Sequence, residues 1–368
     1  MGFKINIGNG ILLILHILSS IAGYISIQAC YVSPEEHWFL SFIGLGFMVF
    51  VLVQIIFFIY WVLIRKIYWI ISLLFFVFFW NYIQRSYNLN YIQANTEESG
   101  SMSIMTYNVK NFDLYDWNKG ADTRKQMLQL IREEQPTIIC LQEFYSSEDK
   151  NNFNNEKYLK DSLGYPYYYF SRLYEVHNES WGLAIYSHLP IINYANIEFD
   201  NVQINGAIYA DMIFERDTFR VFNTHLQSFH FGEKELQKLQ VIDDIVDNPE
   251  KAGSIKAIIR KMKNAFIKRS YQVKKLNFYI KESPYPVILA GDFNDSPVSY
   301  TYHQLGEQLQ DAFVFKGKGF GRTFFNTNFA FRIDYLFFDK SMTINSYRTI
   351  DKMYSDHLPV KVNFNINE

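Results

Sequence analysis

Residues 287–299, VILAGDFNDSPVS, set a carboxylate and an amide two positions apart directly after an apolar run. The four residues Val287, Ile288, Leu289 and Ala290, closed by Gly291, read as a buried strand and its end. In extended chain, positions i and i+2 point to the same side, so Asp292 and Asn294 can reach one site together. Fixed oxygen-rich groups of this kind suit a hard cation or a water molecule attacking phosphorus. They equally suit an Asx-capped turn, and the stretch alone does not choose; Asp295 and Pro297 are expected to shape the turn itself. Other polar residues stand in the same relation to apolar runs. Asn108 follows IMTY, Glu143 follows IICLQ, His225 follows RVFNT, Asp334 interrupts FRIDYLFF, and Asp356 and His357 lie in YSDHLPV. Singly, each has a structural explanation: a turn, a surface carboxylate, a satisfied histidine. Jointly they supply the ligands and proton carriers that metal-assisted hydrolysis requires.

The elements that must position these residues can be read along the chain. Residues 102–109 form a strand ending in Tyr107 and Asn108. Residues 122–135 form an amphipathic helix that starts at an acidic cap and stops before Pro136. Residues 137–141 (TIICL) form a second buried strand, with Gln142 and Glu143 at its exit. GLAIYSHLPII gives two strand pieces joined by a turn; within it Ser187 is structural, and Gly182 allows close approach of strand and loop. Residues 207–214 and 219–223 form a hairpin turning at ERDT and leading into His225. Strands alternating with a few helices over residues 102–368 imply one α/β domain.

Residues 251–281 depart from this pattern, with ten Lys or Arg and no Asp or Glu. Ile255, Ile258, Ile259, Met262, Ala265, Phe266, Val273, Leu276 and Ile280 recur at helical spacing, which predicts a long helix with a charged outer face. That face is either solvated, or laid on an anionic membrane surface or beside phosphates.

Residues 1–87 have a different character. Three uncharged apolar runs, at about 11–32, 39–64 and 67–83, are each near the length that crosses a bilayer, which predicts three transmembrane helices. Residues 88–101 then read as a polar tether. Lys4 precedes the first run, and Arg65 and Lys66 separate the second from the third. Glu35 and Glu36 occupy the other loop. Positive charge on the cytoplasmic side places the N-terminus inside and everything after the third helix on the non-cytoplasmic side, with only Arg85 opposing. The expected molecule is an integral membrane protein, with the lipid bilayer as a partner and no obligate protein partner. Cys30 and Cys140, both in apolar surroundings, suggest neither a disulfide framework nor a zinc cluster. A net charge of −2 argues against a bulk polyelectrolyte binder.

The ordered motifs TYNV, LQE, NTHL, GDFN, RIDY and SDHLPV resemble the endonuclease/exonuclease/phosphatase superfamily with its deoxyribonuclease-I-like fold. The resemblance spans residues 103–365. It implies a four-layered α/β sandwich with two packed, mainly antiparallel sheets, and hydrolysis of a phosphoester by water with Mg²⁺ or Mn²⁺. By position it makes Glu143 the principal metal ligand, with Asn108 and Asp356 beside it. Asp292 and Asn294 would orient water and bind phosphate. Asp334 would hold His357, and His225 would match a second histidine found in the deoxyribonuclease-like and sphingomyelinase-like branches. Asp292 and His357 are both candidates for the general base.

Substrate class is less legible. The tryptophan- and cysteine-containing motifs of the inositol-polyphosphate phosphatases are not seen in VILAGDFNDSP or FAFRIDYLFF. The membrane segment favours a phospholipid-type or other surface phosphoester. A nuclease acting on DNA or RNA is the alternative, because the basic residues of 251–281 could track a phosphate backbone. A catalytically silent binding module is a further one, although no motif residue is missing.

Overall fold

The computed structural model describes residues 7–90, 101–115, 122–149, 153–199, 205–229, 249–325 and 331–366. Twelve strands within it form two six-stranded sheets. The first holds β1 (Met102–Asn108), β2 (Ile138–Ser147), β3 (Tyr167–Val176), β4 (Glu179–Ser187), β11 (Met342–Thr349) and β12 (Val360–Ile366), in the order β11-β12-β1-β2-β4-β3. The second holds β5 (Ile191–Ile197), β6 (Gly206–Phe214), β7 (Asp217–His225), β8 (Val287–Asp292), β9 (Gln310–Asp311) and β10 (Asp334–Phe338), in the order β5-β6-β7-β8-β10-β9. Pairing is antiparallel except between β1 and β2 and between β7 and β8.

Alternation along the strands explains the layering. Ile104, Ile288 and Leu336 point between the sheets into a core that also holds Ile138, Leu183, Val221 and Val362. Their neighbours point outward. Met105 and Leu141 meet Met127, Leu128 and Ile131 of helix α6 (Thr123–Glu134). Leu289 and Phe337 meet Val273, Leu276 and Ile280 of helix α7 (Pro249–Lys281). Helix, sheet, sheet, helix is the expected four-layered sandwich. Helix α6 begins where Asp122 caps the Lys125 amide and ends at Gln135 in the left-handed conformation.

Two sequence expectations are corrected. Strand β2 runs through Glu143 to Ser147 rather than ending at Leu141, and Glu143 sits on a bulge with φ +49°. The apolar run does stop at Leu141, but β4 continues to pair with the polar continuation as far as Ser147. The expectation of three membrane-spanning helices also changes. Ile7–Cys30, a helical stretch of 24 residues, is long and apolar enough to cross a membrane. After the short helix α2 (Pro34–His37), the second run is broken at Gly46 into α3 (Phe39–Leu45) and α4 (Phe47–Leu63), bent by 50°, and counts only if the pair forms one span. The third, α5 (Trp69–Ser86), ends in Asn81, Gln84, Arg85 and Ser86, which dilute its apolar character. Helix α1 (Ile7–Ile27), α4 and α5 pack around buried His16. Its Nε2 lies 2.9 Å from Gln54 Oε1 and 2.8 Å from Ser72 Oγ, and Trp61 Nε1 donates to its Nδ1 at 3.0 Å.

The N-terminal helices are seated on the sandwich. Val298 lies in an apolar cluster with Ile27, Cys30, Phe47, Val51 and Phe75. Arg332 donates to the Arg85 carbonyl at 2.7 Å and holds Asp311 with the same guanidinium. Asn88, expected in a tether, donates to the Phe313 carbonyl at 2.9 Å and exchanges backbone bonds with Gly319. Residues 91–100 of that segment lie outside the described residues.

Gly44 makes this seating close, since a Cβ there would fall 2.6 Å from the Ala29 Cβ and 2.8 Å from the Val298 carbonyl oxygen. Gly44→Val is expected to lower the thermal unfolding midpoint of the detergent-solubilised chain, an overpacking cost of about 1–3 kcal/mol. An unchanged midpoint would mean that the helices do not rest on Val298.

Candidate active site

Three neighbouring strands of the second sheet bring the first residues together. Asp292 on β8 stands opposite His225 of parallel β7 and opposite Asp334 of antiparallel β10. Strand β8 runs through Gly291, the expected strand end, to Asp292; Gly291 has φ +139°, and a Cβ there would fall 2.0 Å from the Thr224 carbonyl oxygen of β7, so glycine lets the two strands close up. The first sheet contributes Asn108 at the end of β1 and Glu143 from the β2 bulge. Bulges re-aim side chains in this way.

Asn108 joins the sheets, because its Nδ2 lies 3.1 Å from both Glu143 Oε1 and Asp292 Oδ2. His225 Nε2 lies 3.7 Å from Glu143 Oε1 and 3.6 Å from Asp292 Oδ2. His357, in the segment entering β12, directs Nδ1 to Asp334 Oδ2 at 2.9 Å and leaves Nε2 3.6 Å from Asp292 Oδ2. Asp292, Asp334 and His357 thus form a compact group whose ligand-type atoms all lie within 4.8 Å of one another.

Asp356 and Asn294 lie at the margin of this group. Asp356 faces Lys110 at 2.9 Å, a partner that sequence reading missed although it is two residues beyond Asn108. Asn294 takes φ +52°, so the i, i+2 argument for an extended chain does not apply to it. Its backbone N–H donates to Asp292 Oδ1, with nitrogen and oxygen 2.8 Å apart, and its Nδ2 donates to the Leu226 carbonyl at 3.0 Å. Asp295, expected to shape the turn, is buried and holds Arg269 at 3.2 Å and the Thr301 hydroxyl at 2.8 Å. Thr323 is a second residue missed in the sequence: its hydroxyl oxygen accepts the Ile333 and Asp334 amides and fixes the start of β10. No local motif marks it.

Electrostatics separate the roles. Burial raises the Asp292 carboxyl to about 6 against the pull of His357. Burial alone would lower His357, but the Asp334 and Asp292 carboxylates outweigh it and raise the imidazole to about 10. Burial and then the charge of Asp356 push Glu143 up. Burial would raise Asp356 as well, yet His357 and Lys110 hold it below the usual carboxylate range. Glu143 is therefore an anion disfavoured by its surroundings, its side chain 28% exposed beside the Asn108 amide. A divalent cation there would relieve that disfavour, so the oxygen donors fit such an ion.

A two-sheet sandwich with carboxylates, an amide and two histidines at one edge defines a class, the metal-assisted hydrolases of charged esters. Residues 105–357, more than half of the chain, match the Endonuclease/Exonuclease/phosphatase family, and the chain belongs to it. It is therefore a metal-dependent hydrolase acting on phosphoester bonds. Residues 9–86 match a domain of unknown function, DUF8431. No curated protein matches the chain. Several solved structures share its fold. One is D. rerio TDP2 complexed with single-strand DNA product, 16% identical with a TM-score of 0.51, covering 73% of this chain and 100% of that one. Another is the human Nocturnin catalytic domain with bound sulfate, 19% identical with a TM-score of 0.51, covering 73% of this chain and 94% of that one. A third, an endonuclease/exonuclease/phosphatase from Beutenbergia cavernae, is 16% identical with a TM-score of 0.50, covering 73% and 72% of the two chains.

The raised histidine makes a stability prediction. Its folded value lies above the ordinary 6.5, at about 10. The His357–Asp334 pair therefore contributes stability that is complete below pH 6.5 and lost as pH rises through about 10. In EDTA, the unfolding midpoint of the chain is expected to fall between neutral pH and about pH 10 by more than that of His357→Gln. Parallel curves for the two proteins would contradict the assignment.

Proposed function

We propose that this protein is a membrane-anchored phosphoesterase that uses Mg²⁺ or Mn²⁺ to hydrolyse a phosphodiester carried by a phospholipid head group. The observation that carries this reading is the distance between the site and the anchor. Val298, packed among the N-terminal helices, is four residues beyond Asn294. Four residues of extended chain span at most about 14 Å, so a head group at the anchor's outer end is within reach of the site.

In this reading Glu143, Asn108 and Asp356 hold the cation. When bound, it would neutralise phosphate charge and polarise phosphorus. Asp292 is the general base, because its carboxyl loses its proton near neutral pH. His357, kept protonated by Asp334, is the donor to the phosphoryl oxygens rather than the base. His225 is a second donor, and Asn294, oriented by its bond to Leu226, lines the phosphate position.

The anchor reading rests on Ile7–Cys30 together with the bent pair and α5. The end of α1, the start of α3 and the end of α5 all meet the sandwich, whereas Arg65 and Lys66 lie in the turn between α4 and α5. That arrangement suits a catalytic domain on the non-cytoplasmic side of a cell or inner membrane. A reporter fused after Glu368 that is active only in the cytoplasm would overturn this topology.

The full chain in lipid nanodiscs is expected to cleave a phosphodiester lipid, lose activity in EDTA and regain it with Mg²⁺ or Mn²⁺. Asp292→Asn and His357→Ala should each reduce turnover by roughly a hundredfold or more. Cleavage of single-stranded DNA or RNA with the lipids left intact would establish the nuclease reading instead.

A further inference from the structure

Helix α7 presents an outer stripe of unusual composition. Lys256, Arg260, Lys263, Ile267, Tyr271, Lys274 and Phe278 follow one another at three- and four-residue steps, the spacing of a single helical face. Tyr271 and Phe278 are 57% and 62% exposed, and the Lys274 side chain is 49% exposed. Val273, Leu276 and Ile280, on the other side of the helix, are buried against the second sheet. The stripe is thus cationic over its first three positions and sets aromatic rings on either side of Lys274 towards its end, and the sandwich core makes no use of it.

Its position is set by the N-terminal helices. Lys263 Nζ lies 5.1 Å from the ring centre of Trp38. Lys274 pairs with Glu35 at 2.6 Å, and the Ser270 hydroxyl donates to the same carboxylate at 3.0 Å. Phe42 meets Phe266 edge-on with ring centres 5.2 Å apart. Glu35, Trp38 and Phe42 all belong to the segment joining α1 to α4, at the sandwich end of the helices.

We propose that this face of α7 lies in the head-group layer beside the anchor and binds anionic phospholipid. The chemistry is that of an interfacial helix: Lys and Arg take lipid phosphates while Tyr and Phe enter the boundary between head groups and acyl chains. A solvated basic face would have no use for two large exposed rings on either side of Lys274. A nucleic-acid track would not need to begin at the ends of apolar helices. Neutralising part of the basic run through Glu35 locks the helix to the anchor and leaves Lys256 and Arg260 for the leaflet.

The proposal rests on the anchor reading and is tested on the full chain, with Phe278→Cys carrying a nitrobenzoxadiazole label; Cys30 and Cys140 are buried. The protein is reconstituted into phosphatidylcholine vesicles with and without phosphatidylglycerol. The expected result is blue-shifted emission quenched by doxyl-lipids when phosphatidylglycerol is present, and loss of both effects in Lys256→Glu/Arg260→Glu/Lys263→Glu. Extraction of the chain by alkaline carbonate would overturn the anchor reading and this proposal together. A chain that stays in the vesicles with its label in water would overturn this proposal alone. So would a label shielded by an added single-stranded oligonucleotide and not by anionic lipid.

Discussion

The structure depends on one buried anion. Asp292 is 1% exposed where the two sheets meet, and a carboxylate in that setting persists only if its surroundings compensate it. Compensation comes from both sheets: the Asn108 amide from β1, His225 from β7, and His357 through the carboxylate of Asp334 on β10. The cluster therefore ties the layers together at the candidate site. Strained backbone surrounds it, with Glu143 and Asn294 both held at positive φ. Such conformations survive when the surrounding bonds over-determine them. Here a bulge flanked by paired strand fixes Glu143, and two hydrogen bonds fix Asn294.

Two carboxylates close together also divide the labour between neighbouring groups. Desolvation keeps Asp292 able to accept a proton near neutrality, while Asp334 spends its charge on His357. Environments that push titrating groups apart distinguish acid from base. By residue type alone Asp292 and His357 are both candidate bases, and their opposite environments are what the proposed assignment rests on.

Much of the architecture was legible. Apolar stretches at 102–109, 137–141 and 287–290 marked three central strands, and the helical spacing in 251–281 marked α7. The amphipathic helix after Asp122 was visible through its cap. What escaped depended on partners far away in sequence. Glu143 lies inside β2 because β4 pairs beyond the apolar run. Asp295 turned from a turn residue into the partner of Arg269, which no local pattern could reveal. The N-terminal runs were read by length and charge, measures that register neither the bend at Gly46 nor the polar last turn of α5. The candidate residues could be picked out as a set because six motifs occur in order, but Lys110 and Thr323 carry no motif and appear only through geometry.

The seating of Val298 among the helix ends has a consequence for reach. A catalytic head on a loose tether sweeps a volume and meets groups at any height or angle. This sandwich is instead fixed to its helices by the Val298 cluster, by the Arg85 carbonyl on Arg332 and by the Glu35–Lys274 pair. It behaves as a stylus of set length. The mouth of the candidate site keeps one elevation and one bearing relative to the helix bundle; under the proposed anchoring, a scissile bond standing too high or too low would be passed over whatever its chemistry.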